Sequence, residues 1–386
     1  MPSAHALLSP SSAHRWLHCT PSAVLASKVE DKGSVYAEEG TCAHALCEMK
    51  LLQALDRPCE QAQREYEELA AKYATPEMQE SADLYVSIIL EKWAKAQAAD
   101  HLARIYVERR LDFTSYVPES FGTADCIILS NACLEVIDFK YGKGVEVSAD
   151  HNPQMMIYAL GAYDEFFLDY QINEVCMTIV QPRISHIDSF TMPADELTQW
   201  AEKTLQPAAI AAFAGEGALF PGDHCRFCPV KATCTEIALQ TLDLWRENKD
   251  AKTIPSDVFP YILRLVPMIE QWAASVKDHA LALALEGNTP AGFKLVEGRS
   301  VRVISEPEAL ANALSALDGF PAESIYKPRE LQTIGALEKL VGKKRFNEVA
   351  APFISKPAGK PTLAPITDKR PPLDPSISAA LDFAGL

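Results

Sequence analysis

The chain has 386 residues, with 36 Lys and Arg against 52 Asp and Glu, and a net charge of −16 with His neutral. That balance excludes a protein that coats DNA through overall positive charge, and 48% hydrophobic residues exclude global disorder. No run of about 18 apolar residues occurs and the first charged side chain is Arg15, so the expectation is a cytoplasmic protein with no membrane span and no basic-start signal peptide.

Ser9-Pro10 starts a helix that runs to Cys19, and Thr20-Pro21 breaks it. Helical periodicity returns over 35–55 and again from Thr75-Pro76, where Leu84, Ile88, Leu90 and Trp93 form an apolar stripe. Strands are predicted at 104–113, 122–130 and 133–141, the last two joined by Asn131-Ala132 as a hairpin. A helix over 152–167, strands over 174–181 and near 186–190, and a helix over 193–213 follow. The order predicts an α/β fold, a mixed central sheet flanked by helices. Past Pro221 come a cysteine-dense stretch, helical segments to about Leu285, a small hairpin over 293–304 and a helix near 328–341. From Ser355 the chain is Pro-rich with little periodicity and is expected to be extended or disordered. The expected division is 1–240, a mainly helical module over 241–345, and a basic tail over 346–386. No phosphate loop of the GxxxxGK[ST] type is present.

A two-residue turn at Asn131-Ala132 puts Asp125 directly opposite Asp138. Like charges across a ladder destabilise a sheet, and both have apolar neighbours, so a divalent cation between them is expected. Lys140 lies two residues beyond Asp138 and projects from the same face. Carboxylate oxygens holding Mg²⁺ or Mn²⁺, with an ammonium beside them, suit phosphodiester hydrolysis. An isolated D-x-K also fits a plain ion pair at a sheet edge; the residues around this one set it apart.

Gly122-Thr123-Ala124-Asp125, then Asp138-Phe139-Lys140, then Gln154 and Tyr158 on the next helix resemble the PD-(D/E)xK nuclease signature in its RecB-like form. Gly40-Thr41-Cys42-Ala43-His44 is similar to that family's early G-x-x-x-H. The resemblance covers about residues 9–240. It implies a restriction-endonuclease-like core, a metal held by His44, Asp125, Asp138 and the Phe139 carbonyl, Lys140 acting on the water, and Gln154 and Tyr158 orienting the site. Glu108 occupies the place of a common acidic residue of the family, and a solvated strand charge beside Arg109 and Arg110 fits it equally well. As a whole the chain is similar to a family encoded in phages and prophages. This implies a DNA exonuclease on single strands or ends in phage recombination or replication, partnered by a recombinase or single-strand-binding protein. The alternatives are a non-catalytic DNA-binding or scaffold protein with the same fold, and a zinc-stabilised structural protein whose D-x-K is accidental.

Cys225-x2-Cys228-x5-Cys234 offers three thiolates in ten residues, a spacing able to wrap a metal centre. Cys19 is the candidate for a fourth. This layout resembles the iron–sulfur nucleases among RecB-like proteins, AddB-like and CRISPR-adaptation exonucleases included, where a [4Fe–4S] cluster staples the ends of the fold. Zinc on the same cysteines, with His18 or His224 substituting, remains open. The other six cysteines read as small core residues.

Positive charge gathers at 343–372, where seven Lys and Arg face Glu348 and Asp368. That segment suits either nucleic-acid contact or a solvated tail. Lys143 and Arg183, each following a strand, are further candidates for phosphate contact.

Overall fold

A computed structural model describes residues 6–29, 33–130, 132–247 and 256–294. The chain divides into two compact units, 1–296 and 297–386, and every described residue belongs to the first. Most of the hairpin expected at 293–304, the helix near 328–341 and the basic tail lie outside the described residues.

A short 3₁₀ turn at Pro10–Ser12 leads into α1 (Ala13–His18), anchored by Trp16, which is fully buried and donates its indole N–H to Ser9 O at 3.1 Å. After the Thr20-Pro21 break comes α2 (Ser22–Ser27), a short helix that the sequence pattern does not announce. Ser34 caps α3 (Val35–Ala54) by accepting from Ala37 N at 3.0 Å, and α4 (Glu60–Tyr73) follows. Thr75 caps α5 (Pro76–Ala99) in the same way, with Pro76 in the first turn where a missing N–H costs nothing.

Five strands form one sheet in sequence order: β1 (Arg104–Asp112), β2 (Phe121–Leu129), β3 (Cys133–Phe139), β4 (Glu174–Gln181) and β5 (His186–Pro193). Only β3 and β4 run parallel, because α6 (Pro153–Phe166) carries the chain back between them. Pairing of Leu129 with Leu134 and Cys126 with Ile137 gives the hairpin register expected from its turn. The predicted helix over 193–213 is two α-helices, α7 (Ala194–Trp200) and α8 (Gln206–Ala214), joined by a π-type turn at Ala201–Leu205. Beyond the cysteine turns stand α9 (Thr235–Glu247) and α10 (Phe259–Leu285).

Both faces of the sheet are covered, so its central strands are apolar on alternate sides. One core joins β2–β4 to α6, α7, α8 and the N-terminal turns through Trp16, Ile127, Val136, Met156 and Leu197. The other packs α3, α4 and α5 on the opposite face through Leu46, Tyr85, Ile89, Cys126 and Phe139. The observed architecture is thus the expected mixed α/β class: N-terminal helices, a five-stranded mixed sheet and a helical C-terminal part. Among the described residues no helix is long and apolar enough to cross a membrane.

Candidate active site

Three carboxylates stand in a row across the sheet. Val107 pairs with Cys126 and Arg109 with Ala124, so Glu108 on β1 lies opposite Asp125 on β2; the hairpin register carries the row on to Asp138 on β3. Glu108 has φ of 48°, in the left-handed region that a Glu side chain seldom adopts. Such a residue costs on the order of 1–3 kcal/mol and survives only where its surroundings fix it.

α3 brings His44 over this row, its Nδ1 3.5 Å from Asp125 Oδ1. His44, Glu108 and Asp125 each offer one ligand atom within 4.8 Å of the others, the one such set among the described residues. Glu108 therefore lines the His44–Asp125 cavity and does not stand in solvent beside Arg109 and Arg110. In the expected ligand set that corner belonged to Asp138. The register between β1 and β2 was the signal for Glu108, just as the hairpin register was for Asp138. Cys47, Glu48 and Tyr85 complete the lining of this cavity and had no assigned role.

Asp138 is 4% exposed and faces Lys140. Lys140 Nζ is 2.9 Å from Asp138 Oδ2 and donates to Gln154 Oε1 at 3.0 Å, while Gln154 Nε2 donates to Asp138 Oδ1 at 3.1 Å. Asp138 Oδ2 receives no aligned hydrogen bond among the described residues, leaving a buried oxygen able to accept a cation or a water proton. Asn152 caps α6 and so fixes Gln154 in its first turn. Tyr158, one turn later, is buried; it packs by Phe113, and a Cβ on Gly122 would stand 3.0 Å from its ring. Phe139 gives its amide N–H to Asp125 Oδ2 at 2.8 Å and its ring edge-on to His44.

These groups set one another's protonation. Burial works against a charged His44, but Asp125, with smaller contributions from Glu108 and Asp138, raises its pKa to about 9. Burial and the Asp125 charge push Glu108 up to about 9. Burial likewise raises Asp138 against the pull of Lys140, whereas His44 and the Phe139 amide hold Asp125 below its ordinary value in spite of burial. The four groups thus share protons that a divalent cation would displace.

Cys19, Cys225, Cys228 and Cys234 line one cavity with His224. Burial raises the Cys225 and Cys228 thiols, and each is raised further by Cys19 and Cys234. Protein contacts already hold the two chain segments close: α1 and α2 pack on α8, and Thr20 Oγ1 donates to Glu216 O at 2.5 Å. Of the remaining cysteines Cys42, Cys47 and Cys126 are buried in the core, and Cys59, Cys133 and Cys176 are half-buried.

A family model described as "Protein of unknown function (DUF2800)" matches residues 5–371. The chain belongs to the DUF2800 family. Among solved structures this DUF2800 chain is similar to the crystal structure of SSO0001, at 15% identity and a TM-score of 0.23, over 57% of this chain and 95% of that one. At that TM-score the likeness establishes neither fold nor function. In the DUF2800 chain Lys143 is engaged with Glu77, and Arg183 with Glu39 and Glu77 while stacking on Tyr141. Neither cation is free of a carboxylate, so a phosphate there would have to displace one.

Proposed function

We propose that this protein is a metal-dependent nuclease, an exonuclease acting on single-stranded DNA or DNA ends. The observation that carries the reading is the meeting of His44, Glu108 and Asp125 within 4.8 Å, beside a buried Asp138 bound by Lys140 and Gln154. Two carboxylates and an imidazole fit Mn²⁺ or Mg²⁺, and Asp138, next in the row across the sheet, would join them by exchanging its Lys140 contact for the cation. Such a cation supplies charge for a phosphate and lowers the pKa of bound water. Lys140 holds the neighbouring anion or water, and Gln154 orients Lys140. Tyr158, on the next turn of α6, packs the helix by Phe113. DNA is the proposed partner, with a phage recombinase or single-strand-binding protein as a second one in the cytoplasm of a bacterial host.

For the four cysteines we take a [4Fe–4S] cluster over zinc. Tetrahedral zinc with Zn–S bonds of about 2.3 Å draws its sulfurs to about 3.8 Å apart. Among the described residues no three cysteine sulfurs lie within 4.8 Å of one another, although all four face one cavity. The choice follows the layout of Cys19 with Cys225, Cys228 and Cys234, all of which line one cavity. When bound it supplies a cross-link between Cys19 and the 225–234 turns.

The deciding experiment digests linear and circular single- and double-stranded DNA with anaerobically purified protein and Mn²⁺, beside Asp138→Ala. Loss of linear single strands that spares circles and vanishes in the variant is expected. Equal digestion by Asp138→Ala would overturn the assignment.

A further inference from the structure

A groove of about 1020 Å³ runs from Lys140 and Gln154 to the cysteine turns and α10, at the upper end of the size of small-molecule pockets. The residues named for the metal and cysteine sites leave most of its wall unexplained. Its lining includes Arg15, Arg226 and Lys231, none of which has a carboxylate partner within ion-pair distance among the described residues, while Arg15 Nη1 donates to Ser22 O and Lys231 Nζ to Arg226 O, each at 2.6 Å. Phe227 is 75% exposed there, with the Arg226 guanidinium 5.5 Å from its ring centre. Trp272 of α10 lines the same groove, its indole N–H buried and without an acceptor among the described residues. The carboxylates lining the groove are Glu146, Asp150 and Asp223; Glu146 and Asp150 each have a histidine near them, His186 and His151, and Asp223 stands on the same turn as Arg226. In a chain of net charge −16, three cations without an ion-pair partner lining one groove with Phe227 and Trp272 suit a partner that is anionic and planar at once.

We infer that this groove is the track for a single polynucleotide strand, its phosphates on Arg15, Arg226 and Lys231 and its bases against Phe227 and Trp272, leading to Lys140. Aromatic rings beside a cationic stripe bind unpaired bases of any sequence, because every base has a face to stack. A duplex keeps its base faces covered and cannot use those rings. The inference rests on the nuclease reading for its direction, but binding along the groove is separable from cleavage.

The test is a fluorescence-anisotropy titration of labelled oligothymidylate and of a blunt duplex, with full-length protein in EDTA so that nothing is cut. Arg226→Glu and Trp272→Leu are each expected to weaken oligothymidylate binding by about tenfold or more and to leave duplex binding nearly unchanged. Arg226 is exposed, so its variant keeps the test open if Trp272→Leu does not fold. Wild-type affinity for oligothymidylate in the Arg226→Glu variant, or an equal loss for duplex, overturns the groove assignment even where Mn²⁺-dependent cleavage is present. Strong, variant-sensitive oligothymidylate binding with no cleavage in Mn²⁺ overturns the nuclease reading and leaves the groove standing.

Discussion

The Phe139 amide donates to Asp125 Oδ2 at 2.8 Å, so the backbone of one hairpin strand holds a carboxylate of the other. That bond leaves Asp125 Oδ1 to face His44, and it does so with an atom no substitution at Phe139 removes, proline excepted. His44 first, and then this amide, hold Asp125 below its ordinary value where burial raises Glu108 and Asp138. The site contains one carboxylate held ionised and, in Glu108, one that a cation would have to deprotonate.

Gln154 bridges Lys140 and Asp138 without belonging to the converged ligand set. In Gln154→Ala, cleavage is expected to fall about 10- to 100-fold, the range seen when a group orienting a metal site is lost. Mn²⁺ affinity, measured by calorimetry, should change far less than in Asp125→Asn. Equal losses of affinity in the two variants would put Gln154 among the ligands.

Glu108 and His44 both have folded-state pKa values of about 9, above the ordinary 4.5 and 6.5. The folded protein therefore holds protons that the unfolded chain has lost, between pH 4.5 and 9 for Glu108 and between 6.5 and 9 for His44. Stability contributed by these groups is complete below those windows and is lost as pH rises through about 9. Asp125, held below its ordinary 3.8, acts in the opposite sense but only in acid. In EDTA the melting temperature is expected to drop from pH 6 to pH 9, and the rise produced by Mn²⁺ to grow over the same interval, since the metal replaces protons already leaving. A Mn²⁺-induced rise that is independent of pH would mean that the metal binds elsewhere.

The five strands and the hairpin were legible because period-2 alternation and a two-residue turn are local signals, and the turn alone fixes which residues of β2 and β3 face each other. Glu108 was ambiguous for the opposite reason. Its role depends on the pairing of β1 with β2 across an eight-residue connection, and on a left-handed backbone that no residue type signals in a Glu. The helix α2 was hidden by the Thr20-Pro21 break, and the π-type turn between α7 and α8 leaves the apolar pattern of 193–213 nearly intact. Neither the groove nor the pairing of Lys143 and Arg183 with Glu77 follows any spacing in the chain. Both arise from elements far apart in sequence meeting in space.

The cysteine cavity makes a prediction that separates its possible occupants. Anaerobically purified protein is expected to carry iron and inorganic sulfide and to absorb broadly in the visible, and Cys228→Ser to lose all three with a lower melting temperature. Because α8 packs on α1 and α2 without help from the cysteines, the far-ultraviolet dichroism of the variant should remain close to that of the wild type at low temperature. Stoichiometric zinc with no visible absorption would replace the cluster by a tetrahedral site.

Gly161 lies in the middle of α6, where Ala would ordinarily favour the helix by about 1 kcal/mol. Here a Cβ would come within 2.5 Å of the Phe113 ring, and Phe113 is fully buried against Tyr158 and the N-terminal turns. The ring has no space to retreat into, so α6 itself must shift, and α6 carries Gln154 in its first turn. Gly161→Ala is therefore expected to lower stability by about 1–3 kcal/mol, read from the urea midpoint, in spite of the better helix propensity. Cleavage by the folded fraction should fall as well, because Gln154 moves with the helix and Lys140 follows it. Unchanged stability would show that Phe113 yields easily, and with it that the packing beneath α6 does not position the site.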